Sequence, residues 1–290
     1  MFAKVCVVGL VLVTLAACGS TEPKPAAAPA APAGPLGPAA PVTSPVPAEQ
    51  LALPFDSYQL SFAEESEIQR ARTVLARACL RERDVRLDVP DDIRSPGVLD
   101  LNPNLRRYGV IDETTATRFG YHFPRTPEEA RRQQDRERWS TSLTEPQRMA
   151  LFGEGGCTEQ ADAELTEVDD DFFVDADFRS LQTSGTDPRV VAATAAWRAC
   201  MTEQGFDYPD PNAAISDPRW RLDTTDVPAT EIDTAMADVR CKASTRFVET
   251  WHDAEVAVQQ EEIRRDPDRF AGLASARDKR LAAARRVLAG

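Results

Sequence analysis

The chain has 290 residues, 47 acidic against 34 basic, and a formal net charge of −13. A body this acidic repels nucleic acid and anionic lipid head groups, which excludes both as partners. Glycine is sparse and β-branched runs are short, while Ala, Arg, Glu and Leu fill the long periodic stretches, so the reading is all-α.

The first element is a secretory signal. Lys4 makes a basic start, Val5 to Leu15 is apolar, and Leu15-Ala16-Ala17-Cys18 closes the segment with small residues. The apolar run is about half the roughly 20 residues that a membrane-spanning helix needs. Ending on a cysteine, the site resembles the lipobox of bacterial lipoproteins. The resemblance implies removal of residues 1–17 and a diacylglyceryl thioether on Cys18, with palmitate-class acyl chains holding the protein at the extracytoplasmic face of the cell membrane. Two acyl chains meet the usual requirement for stable attachment. Losing Lys4 with the signal moves the formal charge one unit further negative.

Residues 18–50 read as a lipid-anchored linker, rich in Pro and Ala and without apolar bulk to bury. Some 30 residues at about 3.1 Å each could reach on the order of 90 Å. Residues 51–290 follow as a helical extracytoplasmic domain, long enough for one large unit or two small ones.

Four cysteines remain in that domain, Cys79, Cys157, Cys200 and Cys241, and an even number outside the membrane favours two disulfides. Three pairings are possible. An internal similarity points to one of them: Ala78-Cys79-Leu80-Arg81-Glu82-Arg83-Asp84-Val85 lines up with Ala199-Cys200-Met201-Thr202-Glu203-Gln204-Gly205-Phe206. Both stretches lead towards Pro-Asp segments, and each has one further cysteine downstream. The expectation is two weakly similar halves, about 51–178 and 187–290, with one disulfide each, Cys79–Cys157 and Cys200–Cys241. Closing loops of this length stabilises by roughly 4 kcal/mol each in the chain-entropy picture.

In the second half, Asp187 caps a helix, Pro188 takes its first position, and Val190, Ala193, Trp197 and Cys200 face inward. Gly205-Phe206 suits a left-handed end with an apolar clasp. In the first half Ile68, Ala71, Leu75 and Cys79 repeat the spacing, but Asp84 replaces the glycine, so that helix is expected to run on towards Pro90. The longest helix is expected to start near Thr230 and carry one stripe from Ile232 through Met236, Val239, Phe247 and Trp251 to Val258, with Cys241 off the stripe on a second contact surface. Asp266-Pro267 breaks it. A last helix through Phe270, Leu281 and Leu288 then packs back on the long one as a C-terminal helical hairpin.

Several of these runs occur together with Phe55-Asp56-Ser57-Tyr58, Tyr108-Gly109, Gly120-Tyr121-His122, Gly155-Gly156-Cys157 and Asp217-Pro218-Arg219-Trp220. The set resembles a group of uncharacterised secreted lipoproteins of high-GC actinobacteria. The resemblance implies the same location and cysteine pairing, and carries no activity.

Chemistry has few candidates. His252 could pair with Glu255, three residues on, as a metal ligand set, though a helix-surface role suits it better. His122 lies in an aromatic loop read as packing. Asp169, Asp171, Asp175 and Asp177 alternate as calcium ligands do, but lack the glycine of an EF-hand loop, and an acidic linker is the better reading. No metal site, cofactor or catalytic residue is assigned. The expectation is a non-enzymatic binding or scaffold module with an envelope protein or cell-wall partner. The alternatives are a wall-active or metal-dependent hydrolase using scattered carboxylates, and a sensor accessory whose C-terminal hairpin meets a membrane receptor.

Overall fold

Several helix starts coincide with residues whose side chains accept from exposed backbone N–H groups, and several ends are followed by a residue at positive φ. In the computed structural model, residues 46–91, 97–124, 127–165 and 171–290 are described. Cys18, the signal and all of the linker before Val46 lie outside them, as do Asp169 and Asp170. Among the described residues every regular element is helical, and no helix is long and apolar enough to cross a membrane.

Helix α1 (Phe62–Glu82) opens on a capping box in which Ser61 and Glu64 serve each other's backbone. After a single turn, α2 (Val98–Leu101), α3 (Glu113–Phe119) begins on Asp112, whose carboxylate accepts from Thr115 N–H at 2.7 Å. Next come α4 (Pro127–Ser142), α5 (Glu145–Phe152), α6 (Cys157–Glu164) and α7 (Asp171–Gly185). The expected Asp187 cap and Pro188 start open α8 (Pro188–Glu203), in which Val190, Ala193 and Trp197 are buried beside a half-buried Cys200. The short α9 (Pro211–Ile215) leads to the C-terminal trio α10 (Ala229–Ser244), α11 (Phe247–Arg265) and α12 (Pro267–Ala289).

The expected longest helix is therefore two. Thr245 returns its hydroxyl to the Cys241 carbonyl at 2.7 Å, and Arg246 adopts φ 54°. This left-handed turn redirects the chain so that Phe247 is fully buried at the start of α11. Asp266 and Pro267 then separate α11 from α12 as the sequence predicts. The second arm of that hairpin lies chiefly along α1, with Leu281 and Ala284 meeting Ile68 and Ala71, and touches α11 more lightly. At its start, Phe270 packs with Phe55 and Ala176.

Both disulfides have the predicted pairing, Cys79–Cys157 and Cys200–Cys241, each with Cα atoms 5.6 Å apart. The described residues from Val46 to Gly290 belong to one compact unit. Within it α1 packs on α6 and α12, α10 on α3 and α8, and α11 on α7 and α8, so elements from both sequence halves interleave.

The repeated cysteine helices end alike. In α8, Phe206 N–H reaches the Met201 carbonyl at 2.9 Å and Gly205 N–H the Thr202 carbonyl at 3.0 Å, with Gly205 at φ +89°. In α1, Val85 N–H reaches Leu80 at 2.9 Å and Asp84 N–H reaches Arg81 at 3.1 Å, with Asp84 at φ 55°. The extension towards Pro90 is thus incorrect: Asp84 takes the left-handed position itself, as short polar residues can. Glycine would take it without the Cβ penalty. Asp84→Gly should raise stability by about 0.5–1 kcal/mol and Gly205→Asp should lower it by a similar amount, read from urea midpoints at unchanged slope.

Candidate functional site

The apolar periodicity of α10 points to one face, of which Val239 is buried, but the buried surface extends well beyond it and takes in charged residues. Glu231, Thr234, Ala235, Asp238, Cys241 and Lys242 are buried, while Ile232 and Met236 are only half covered and Ala243 is exposed. Charges in such a position need partners. They come from α10 itself, from Trp197 on α8, from the loop between α2 and α3 and from the turn after α3. Lys242 Nζ donates to Asp238 Oδ2 at 2.9 Å and to the Val110 carbonyl at 3.0 Å, and Trp197 Nε1 donates to Asp238 Oδ1 at 2.9 Å. Burial pushes the Asp238 carboxyl up and the Lys242 ammonium down, and the contact between them opposes both shifts.

Two glycines make room for these charges. A Cβ at Gly109, where φ is +86°, would lie 2.7 Å from Lys242 Nζ, and one at Gly120 would lie 2.5 Å from Glu231 Oε1. Glu231 Oε1 accepts from Tyr121 N–H at 2.7 Å and contacts His122 Nδ1 at 2.9 Å. His122 is buried, as the packing reading expects. Its Nε2 and the second Glu231 oxygen are shielded without a hydrogen-bond partner among the described residues.

A second buried centre is built around Arg107. Its guanidinium donates through Nε to both Glu255 oxygens at 3.0 Å and through Nη1 and Nη2 to the two Asp177 oxygens at 3.0 and 2.8 Å. Glu255, fully buried, also accepts from Tyr108 Oη at 2.8 Å and Ser180 Oγ at 2.9 Å. Gln259 extends the network, donating to Ser180 and accepting from Phe55 N–H.

These networks dispose of the metal candidates. Glu255 faces Arg107, while His252 on the same helix contacts the Ala52 carbonyl at 3.0 Å, so the two do not form a ligand pair. Asp177 is held by Arg107, and Asp171 and Asp175 are exposed on α7. No group of three metal-ligating side chains occurs among the described residues.

Among the described residues, the clefts open to a ligand include two. The first, about 520 Å³, lies where residues 46–51 meet α10 and α11, and His252, Glu249 and Asp253 line it beside Leu51, Ile111 and Val248. The second, about 460 Å³, separates α1 from α4. Ala76, Val89, Pro90 and Leu151 give it an apolar floor, with Trp139 and Phe152 as aromatic walls. Arg72, Arg132 and Arg136 enter from the two helices. Neither cleft was legible in the sequence, because their walls come from segments far apart in the chain. No family model, curated protein or solved structure matches this chain.

Two measurements test the buried centres. Arg107→Met leaves Glu255 charged, buried and uncompensated, and should cost about 3–5 kcal/mol in denaturant unfolding. Tyr108 and Tyr121 are both pushed far above the usual tyrosine range, foremost by burial. Unfolded tyrosine ionises near pH 10 while the folded residues stay protonated, so above that pH the unfolded state binds fewer protons and stability falls as pH rises. Tyr108→Phe or Tyr121→Phe should each reduce that alkaline slope by about 1.4 kcal/mol per pH unit, read from unfolding free energies above pH 10.

Proposed function

We propose that this chain is a lipid-anchored extracytoplasmic protein of the cell envelope, acting as a non-enzymatic binding or scaffold module. Cys18 carries the lipid and the Pro/Ala-rich residues from 19 to the start of the folded body at Val46 form the tether. The observation that carries the module reading is the division of labour among polar groups. Asp177, Glu231, Asp238, Lys242 and Glu255 are committed to internal pairs that hold helices together, whereas two clefts stay open at the surface. A rigid, stapled body with preformed clefts suits capture of a partner. The two disulfides agree with an oxidising compartment, where such bonds persist.

The sensor-accessory alternative places a membrane-receptor contact on the C-terminal hairpin. Here α12 buries Phe270, Leu281 and Ala284, so deleting residues 267–290 would strip part of the core.

In a bacterial host with lipoprotein processing, the wild-type chain should fractionate with membranes and begin at a diacylglyceryl-modified Cys18 by mass spectrometry, and Cys18→Ala should lose both properties. Membrane retention of Cys18→Ala would overturn the anchor. Surface photo-crosslinking of the anchored protein should recover one envelope component reproducibly. Recovery no greater than for an unrelated anchored helical protein would overturn the module.

A further inference from the structure

We propose that the cleft between α1 and α4 binds an amphiphile with an apolar or aromatic body and an anionic oxygen head, a carboxylate or a phosphate monoester. The proposal rests on the binding-module reading and names the ligand of one of its clefts. The cleft volume of about 460 Å³ is within the range of small-molecule sites. Its floor and aromatic walls supply apolar contact, and Phe152 remains 52% exposed, a cost that an apolar ligand would remove. Trp139 is already oriented, because its Nε1 donates to the Asp88 carbonyl at 2.9 Å. Its ring packs in part against Leu80 and Leu151 and also lines the cleft.

The head group follows from the guanidiniums. Arg72 stands on α1, and Arg132 and Arg136 stand four residues apart on α4, so donors enter from opposite walls. Three guanidiniums against two carboxylates, Asp91 and Asp135, make the lining net positive in a chain whose formal charge is −13. Both carboxylates are already engaged, Asp91 by Arg77 and Asp135 by Arg138, while Arg132 shares one donor with Glu128 at 2.9 Å and keeps the others. Arg72 reaches Asp162 through Nη2, yet its Nε–H is shielded from water with no acceptor among the described residues. A planar fork with a vacant donor suits a carboxylate or phosphate oxygen.

The wall itself is unusual. Half-buried Trp139 packs against the cluster of Ala76, Leu80 and Leu151, while none of the other described side chains of α4 is buried. A helix polar on all sides gains little from packing, and its order depends on what it contacts. Arg132, Asp135, Arg136 and Trp139 recur at helical spacing on its cleft side. A ligand bridging them to α1 would add to the few contacts that Trp139 gives this helix.

The test uses the disulfide-bonded full chain carrying Cys18→Ser, with two fluorescent probes. Anilinonaphthalene sulfonate has an aromatic body and an anionic head, and phenylnaphthylamine has the body alone. The anionic dye should bind one per chain, and Arg132→Gln with Arg136→Gln should weaken it about tenfold or more. The neutral dye should be insensitive to those changes, and Phe152→Ser should weaken both. The two arginine positions are exposed or half-exposed on α4, so the double variant should melt with the parent chain. Decanoate and decyl phosphate then distinguish the head groups by displacement of the anionic dye. Equal affinity of the double variant for the anionic dye, indifference of both dyes to Phe152→Ser, or failure of both amphiphiles to displace the dye would each overturn the proposal. If crosslinking still recovers an envelope component after any of these results, the cleft assignment falls while the module reading stands.

Discussion

The architecture depends on the burial of charged side chains on α10 and α11, and on one stretch of chain that answers them. Between Asn104 and His122 the protein supplies Arg107 and Tyr108 to Glu255, the Val110 carbonyl to Lys242, and the Tyr121 amide with the His122 imidazole to Glu231. Consecutive residues thus reach in different directions, Arg107 towards α7 and α11, Arg106 to the Tyr121 carbonyl at 2.7 Å. A shift of one residue in this loop would strand several buried charges together. Such pairs add little net stability over apolar substitutes, because desolvation offsets most of the attraction. What they add is a heavy penalty for every misplaced register.

That requirement gives a physical meaning to the short motifs Tyr108-Gly109 and Gly120-Tyr121-His122. The glycines stand where a side chain would strike Lys242 or Glu231, and both have positive φ. The tyrosines and the histidine are packing and hydrogen-bonding elements of the core. Motifs that might have marked a reactive loop instead mark the places where backbone must approach a buried charge.

Legibility in the sequence followed the range of the interaction. Caps and stops depend on a few adjacent residues, and Asp187, Pro188, Gly205, Asp266 and Pro267 were all readable. The disulfide pairing was readable because a repeated helix carried it. Asp84 was misread because left-handed backbone was equated with glycine, although the hydrogen bonds of Val85 and Asp84 reproduce those of Phe206 and Gly205. The face of α10 was misread for a deeper reason. Periodicity assigns charges to solvent, and only the tertiary position of Arg106 to His122 makes burial of Glu231, Asp238 and Lys242 tolerable. One signal was present: these three recur at seven and four residues, a helical stripe of charge. The same limit hid the break at Arg246, where a single left-handed residue interrupts an otherwise continuous apolar pattern.

Arginine illustrates how a structural charge differs from one available for recognition. Arg107 directs its donors at Glu255, Asp177 and Ser180, so nothing is left for a ligand. Arg106 has a shielded Nη1 without an acceptor, but it lines neither of the two open clefts. Arg72 combines an unmet donor with a place on an open wall. Burial alone does not separate these cases, and neither does the sign of the whole molecule's charge. Repulsion from a distant acidic surface fades over a screening length of about 8 Å at physiological ionic strength. Inside a cleft the nearest donors dominate. An acidic body can therefore turn away anionic surfaces while one of its grooves accepts a small anionic head.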